Sequence, residues 1–242
     1  MKPSLLNGAC ILLTLFSSGL SLAAWAQSPA KADSSPDLER VLDRIDRNAA
    51  SFHTMEASFA WDQYQKVVDD KDTQEGKVYF RRAGNETQMA AEITKVDGKP
   101  QAKYVLFTDG KVQLYQPGIA DQVDVYNTGK NKETFESLLV LGFGGSGHGL
   151  LKAFDVTYAG QETLNGTPTD KLNLIPKSDK IRNVFDHILL WIDSRGVSLQ
   201  QQLFNSEGDY RLAKYSDIQP NQKIPDSVFK LKATGKTKFV PH

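Results

Sequence analysis

The chain has 242 residues, with lysine plus arginine and aspartate plus glutamate balanced at 29 each. That balance excludes the basic footprint of a nucleic-acid binder and a polybasic membrane anchor, while the length allows one domain with a sizeable core. The sole cysteine is Cys10, so the rest of the chain must be held by packing, without disulfide or thiol chemistry.

Lys2, the largely apolar run Leu5 to Leu22 and Ala24-Trp25-Ala26 before Gln27 have the form of a cleaved export signal. Residues 1–26 are read as that signal, which points to a bacterial cell envelope. Gly8-Ala9-Cys10 invites a lipid-attachment reading, but this cysteine precedes most of the hydrophobic run that it should follow. No later segment is apolar enough to span a bilayer. Residues 27–34 are small and polar and read as a loose tether, and 35–242 as a single domain.

Ser35-Pro36 has the form of an N-cap followed by proline at the first helical position. Leu38, Val41, Leu42, Ile45, Ala49 and Phe52 then recur at helical spacing, which predicts an amphipathic helix of about four turns. Phe59 and Trp61 share a face of the strand that follows, Asp69 to Asp72 form a solvated turn, and Gly76 to Arg82 returns as a strand. Val78, Phe80 and Arg82 point one way along it. An arginine therefore ends an apolar row, either as an edge guanidinium that snorkels to water or as a gate able to hold a lid by its backbone carbonyls.

Met89 to Val96 makes the next strand, with a turn at Asp97-Gly98. The hairpin Tyr104 to Tyr115 turns at Asp109-Gly110, a pair suited to positive φ at both central positions. Phe107 then lies opposite Val112 and Val105 opposite Leu114, giving one apolar face. The other face, with Tyr104, Leu106 and Lys111, reads as mixed and wettable.

Glu133 to Leu141 has a helical period, with Phe135, Leu138 and Leu139 on its apolar side, and Gly142 to Gly149 follows with five glycines in eight residues. Strands resume from Asp155 to Ile175 around an Asn165-Gly166 turn. Four more are read at His187–Asp193, Val197–Phe204, Tyr210–Asp217 and Val228–Lys232. Strands joined by short turns form an antiparallel meander, here of about 9–11 strands, in a mainly β (α+β) chain. A twisted sheet of that size curls, and its apolar side is either covered by helices or left hollow.

Gly142-Phe143-Gly144-Gly145-Ser146-Gly147 fits G-x-G-x-x-G, but the surroundings are hairpins instead of βαβ units, so a mobile connector beside a lid is the preferred reading. Gly235-Lys236-Thr237 lacks the first glycine of a P-loop. Ser146 lacks the G-x-S-x-G frame, because His148 stands at the closing glycine. His53, His148, His187 and His242 show no metal spacing. The sequence contains no catalytic constellation, cofactor motif or metal site, and the chain is read as a non-enzyme.

In this order, several short motifs resemble the periplasmic outer-membrane lipoprotein carrier (LolA-like) family. The first helix ends in Ala50-Ser51-Phe52-His53 and leads to Ala57-Ser58-Phe59. Gly76 to Arg82 is similar to the family's G-x-x-x-x-K/R-R strand, and Phe107 to Lys111 with Tyr115-Gln116-Pro117 to its S-D-G-K and Y-x-P hairpin. Leu174-Ile175-Pro176-Lys177 is similar to its L-x-P-K, and Asp193 to Gly196 to its strand-ending turn. The resemblance implies an incompletely closed antiparallel barrel with helices as a lid over an apolar cavity that receives lipoprotein acyl chains. It implies that Arg82 ties the lid, that no cofactor is needed, and that the partners are acylated lipoproteins, an inner-membrane ABC-type releasing transporter and an outer-membrane acceptor. Ala83 stands where the family has proline.

The carrier reading places Val78, Phe80, Val105, Phe107, Val112 and Leu114 on the sheet side of the cavity. Leu38, Val41, Leu42 and Ile45 join them from the first helix, with Phe135, Leu138, Leu139 and Phe143 as the lid and Arg82 as the gate. The chain is expected to be a monomer that binds no nucleic acid. The alternative is a lipid- or glycolipid-binding, or lipoprotein-sensing, domain of the same fold.

Overall fold

The computed structural model describes residues 35–84, 86–129 and 138–242, all within one compact unit. The export signal with Cys10, the tether and Phe135 lie outside the described residues. Helix α1 spans Pro36–Ser51, and the Ser35 hydroxyl accepts from the Leu38 N–H at 3.2 Å. Asp37 and Glu39 occupy its first turn, where carboxylates suit the helix dipole. Its apolar stripe is Leu38, Val41, Leu42, Ile45 and Ala49.

Among the described residues twelve strands follow in one sheet. The first six are β1 (Thr54–Gln65), β2 (Asp70–Ala83), β3 (Glu86–Val96), β4 (Lys99–Thr108), β5 (Lys111–Tyr115) and β6 (Gln122–Asn127). A short helix α2 (Gly147–Ala153) leads to β7 (Phe154–Leu164) and β8 (Thr167–Pro176), and the single turn α3 (Asp179–Arg182) leads to β9 (His187–Ile192). The last three strands are β10 (Ser198–Phe204), β11 (Tyr210–Pro220) and β12 (Lys238–Pro241). The spatial order is β12-β6-β5-β4-β3-β2-β1-β11-β10-β9-β8-β7. Neighbours are antiparallel except for the parallel β12–β6 pair, and β12 does not meet β7, so the barrel is incompletely closed.

Asp109 and Gly110 have φ of 52° and 68°, and Phe107 faces Val112 and Val105 faces Leu114. Cross-strand register continues these pairs into two rows on the inner face. One runs Met55, Phe80, Met89, Phe107, Val112 and the other Ala57, Val78, Ala91, Val105, Leu114.

The strand count exceeds the expected range. Gln122–Asn127 and Lys238–Pro241 are short strands of six and four residues at one end of the sheet, the second of them its edge. Val228–Lys232, read as a strand, is not one: Val228 and Phe229 end a 3-10 turn at Asp226–Phe229, and 230–232 are irregular. Ile224, Val228, Phe229 and Leu231 pack on Tyr79, Ala90 and Leu106, so this part of the outer face is covered, not wettable. Arg81 fastens the strap: it pairs with Asp226, and its guanidinium lies 4.3 Å from the Phe229 ring centre.

The two halves of the sheet are filled differently. The α1 stripe packs with Leu141, Leu150, Phe154, Leu172, Leu174, Ile188, Leu190 and Ile192 into a closed core against β7–β9. Arg40 Nη1 (3.1 Å) and Arg44 Nη2 (2.6 Å) fasten the helix to Asp170 of β8, which also accepts from Tyr158 and Gln161. Burial alone would raise the Asp170 carboxyl, but these four donors hold it well below the usual carboxylate range.

Candidate functional site: a cavity on the inner face

The other half is hollow. Between the inner faces of β1–β3 and of β10 and β11 lies a cavity of about 250 Å³. Its walls are Phe59, Trp61, Val78, Phe80, Met89, Ala91, Gln201, Leu203, Arg211, Ala213 and Tyr215. Leu138 and Leu139, at the end of the residues read as a lid helix, face it together with Phe185. Burial pushes the Tyr215 phenol upward, which keeps it neutral. Strand alternation explains the lining: Phe59 and Trp61, and Ala213 and Tyr215, are two apart on paired strands and share a face.

Phe143 is fully buried beside this space. Its ring stacks on Phe80 at 5.3 Å between centres and meets Tyr215 edge-on at 4.6 Å. It belongs to a second cluster with Phe52, Met55, Ala57, Phe59, Val78, Ile93 and Val197, and Val105 packs against its margin. Of the sheet residues singled out from sequence, Val78 and Phe80 line the cavity, whereas Phe107 is buried farther along its row and Val112 and Leu114 are half-buried. Leu38, Val41 and Leu42 are not in its lining and, with Ile45, fill the closed core on the other side.

The glycine-rich segment is a wedge, not a loose connector. A Cβ on Gly147 would stand 2.3 Å from the Leu42 carbonyl oxygen, and one on Gly144 (φ +78°) would stand 2.4 Å from the Phe52 ring. Glycine lets the segment lie directly on α1 and carry Phe143 into the sheet. Arg82 sits at the seam: its Nη1 donates to the Ala49 carbonyl at 3.3 Å and its Nη2 to the Gly144 carbonyl at 3.0 Å. One guanidinium thus joins β2, the end of α1 and the glycine-rich segment.

A second tie lies nearby, and sequence spacing did not reveal it. Asp46 of α1 accepts from the Ser146 hydroxyl and the Gly147 N–H, both at 2.7 Å, and contacts His148 Nδ1 at 2.5 Å. His148 Nε2 lies 2.9 Å from Glu39 Oε2. The two carboxylates, Asp46 first, raise the imidazole above its ordinary value. Burial alone would push Asp46 up, but hydrogen bonds from His148, Ser146 and two backbone N–H groups bring it down. Ser146 donates to Asp46, not to a histidine nitrogen, so the group lacks the order of a nucleophile and its base. It clasps the glycine-rich segment to α1. The signal missed was an i, i+7 pair of acids, Glu39 and Asp46, on one side of an amphipathic helix.

No protein-family model and no curated protein matches the sequence. Among solved structures, the chain is similar to an uncharacterized conserved protein from Thermus thermophilus, with a TM-score of 0.53 and 13% identity over 85% of this chain and 99% of that one. MucB, known also from a Pseudomonas aeruginosa MucA/MucB complex, aligns with a TM-score of 0.50 and 14% identity over 85% of this chain and 66% of its own. A LolA superfamily protein from Nitrosomonas europaea aligns at a TM-score of 0.40 and 12% identity, over 80% of this chain and 97% of that one. At these identities the likeness is one of fold.

Proposed function

We propose that this protein is a periplasmic carrier that takes lipoprotein acyl chains into the inner-face cavity and passes them toward the outer membrane. The observation that carries the reading is a hollow, apolar-walled half of an open sheet beside a segment held by polar ties, Arg82 and the Asp46–His148 clasp. Apolar walls hold a tail, and polar ties can be broken and remade without unfolding the sheet.

A dry cavity of about 150 Å³ admits a six-carbon ring, so 250 Å³ accommodates on the order of ten carbons. At about 0.8 kcal/mol per buried methylene, that stretch is worth roughly 8 kcal/mol. Release into water would be slow, so transfer proceeds by contact with a partner that presents another apolar site. A longer chain, or several at once, requires the roof at Leu138 and Leu139 and the Phe143 ring to lift. The protein works as a monomer, exported by residues 1–26, and its partners are acylated lipoproteins, a releasing transporter in the inner membrane and an acceptor at the outer membrane. Binding, not catalysis, is its activity, and no nucleotide drives it.

The same apolar cavity also suits one alternative, a domain of this architecture that senses lipoproteins or holds another envelope lipid. Mass spectrometry of the natively purified protein separates the two. A bound acylated lipoprotein supports the carrier; a glycolipid or free lipid supports the alternative; an empty protein from cells with intact envelopes contradicts both.

A further inference from the structure

Building on the cavity as a hydrocarbon site, we propose that Arg211 makes it selective for anionic amphiphiles, holding a carboxylate or phosphate head at the mouth while one tail lies inside. Arg211 is on the inner face of β11, two and four residues from the cavity-lining Ala213 and Tyr215, and pairs across the sheet with Gln63 and Leu203. It borders both the 250 Å³ cavity and a smaller pocket of about 140 Å³ at the strand ends, and Phe185 and Leu203 also border both. Gln63, Gln65 and Asn205 line the smaller pocket, so the apolar space gives way to hydrogen-bonding groups at the position of this guanidinium.

Among the described residues two arginines, Arg211 and the exposed Arg47 of α1, donate to no carboxylate or carbonyl, and of the two only Arg211 borders the cavity. Arg40, Arg44, Arg81, Arg82, Arg182 and Arg195 each donate to a carboxylate or a carbonyl. Among the described residues Arg211 has neither; its one contact of note is the Phe185 ring, 5.8 Å away at its centre. The carboxylate bordering the same pocket, Asp209, is engaged by the Lys66 N–H at 2.8 Å and by Asn205 Nδ2 at 3.1 Å. A planar guanidinium with free donors at the rim of an apolar space matches the two oxygens of a carboxylate or phosphate. An uncharged hydroxyl can accept one hydrogen bond from it, but without the charge that makes the anion's bonds roughly twice as strong.

The test uses delipidated protein and three ten-carbon probes: decanoate, decyl phosphate and 1-decanol. Wild type should bind the better anion about tenfold more tightly than the alcohol, the scale of a hydrogen bond to a charged group. Arg211→Gln should abolish that preference, bringing the anions' affinities to that of decanol in the same variant, whereas Arg47→Gln, on the exposed side of α1, should leave the preference intact. Tighter binding of decanoate points to fatty acids, and tighter binding of decyl phosphate to phosphate-headed lipids. Equal binding of all three by wild type, or a preference that survives Arg211→Gln, overturns the proposal and leaves the hydrocarbon site standing. Failure of all three probes to bind removes that site and the proposal with it.

Discussion

Phe143→Ala distinguishes a plug from a piece of core. The ring is fully buried, stacked on Phe80 and edge-on to Tyr215, and the chain carrying it rests on α1 through glycines. Truncating a buried phenylalanine costs about 3–5 kcal/mol in transfer and cavity terms. For a domain of this size that lowers Tm by roughly 10 °C. If the ring occupies space meant for a tail, the variant gains room beside the existing 250 Å³ and the loss is recovered when a tail fills it. Thermal unfolding with and without a saturating long-chain probe, together with the probe's Kd, reads both effects. The expected result is a destabilised apo variant that binds the probe more tightly than wild type and regains most of the lost Tm. A variant that is destabilised equally with and without probe, and binds no better, would show that Phe143 is structural filling and refute the reasoning.

Arg82→Leu removes two donors from an exposed side chain, so global stability should fall by only about 1 kcal/mol. Hydrogen exchange around Gly144 should nevertheless accelerate at least tenfold, and unchanged exchange would show that the guanidinium ties nothing. Asp170→Asn leaves Arg40 and Arg44 facing a neutral amide and should cost about 3 kcal/mol by denaturant unfolding. Because the Asp170 pKa is depressed on folding, its contribution is present above the unfolded value of 3.8 and fades as pH falls below it, so the variant should lose part of the wild type's acid sensitivity. For His148 the sign is opposite: its folded pKa is raised, so its contribution is complete below 6.5 and disappears as pH climbs through the folded value. An NMR titration of the ring should give a midpoint above 6.5 that drops in Asp46→Asn. Both side chains are at least a third exposed, so the effect on overall stability stays below about 1 kcal/mol.

Much of the fold was legible because its signals are local. The Asp109-Gly110 turn and the alternation around it specify the β4–β5 register, and Ser35-Pro36 with the 3.6-residue period specifies α1. The half-open sheet with helical cover follows from consecutive hairpins and the LolA-like motifs. What sequence could not resolve was tertiary partnership. The α1 stripe reads the same whether it roofs a hollow or fills a core, and the registers of β7–β9 put it on Leu172, Leu174, Leu190 and Ile192. Five glycines read as looseness, yet Gly147 lies on the Leu42 carbonyl of α1 and Gly144 on the Phe52 ring, each too close for any side chain. Ile224 and Phe229 alternate too little to reveal a strap across the outside of the sheet. Arg82 could be placed at the end of an apolar row from its strand alone, but the carbonyls it meets, 33 and 62 residues away, could not be named from spacing.

The most direct measurement is crystallographic: delipidated protein soaked with a bromine-tagged long-chain alcohol, with the bromine located by anomalous scattering. Bromine among Phe80, Trp61 and Leu203, with Leu138 and Phe143 displaced, is the predicted result. Bromine confined to the surface, with that interior closed around its own side chains, would contradict a hydrocarbon-carrying role.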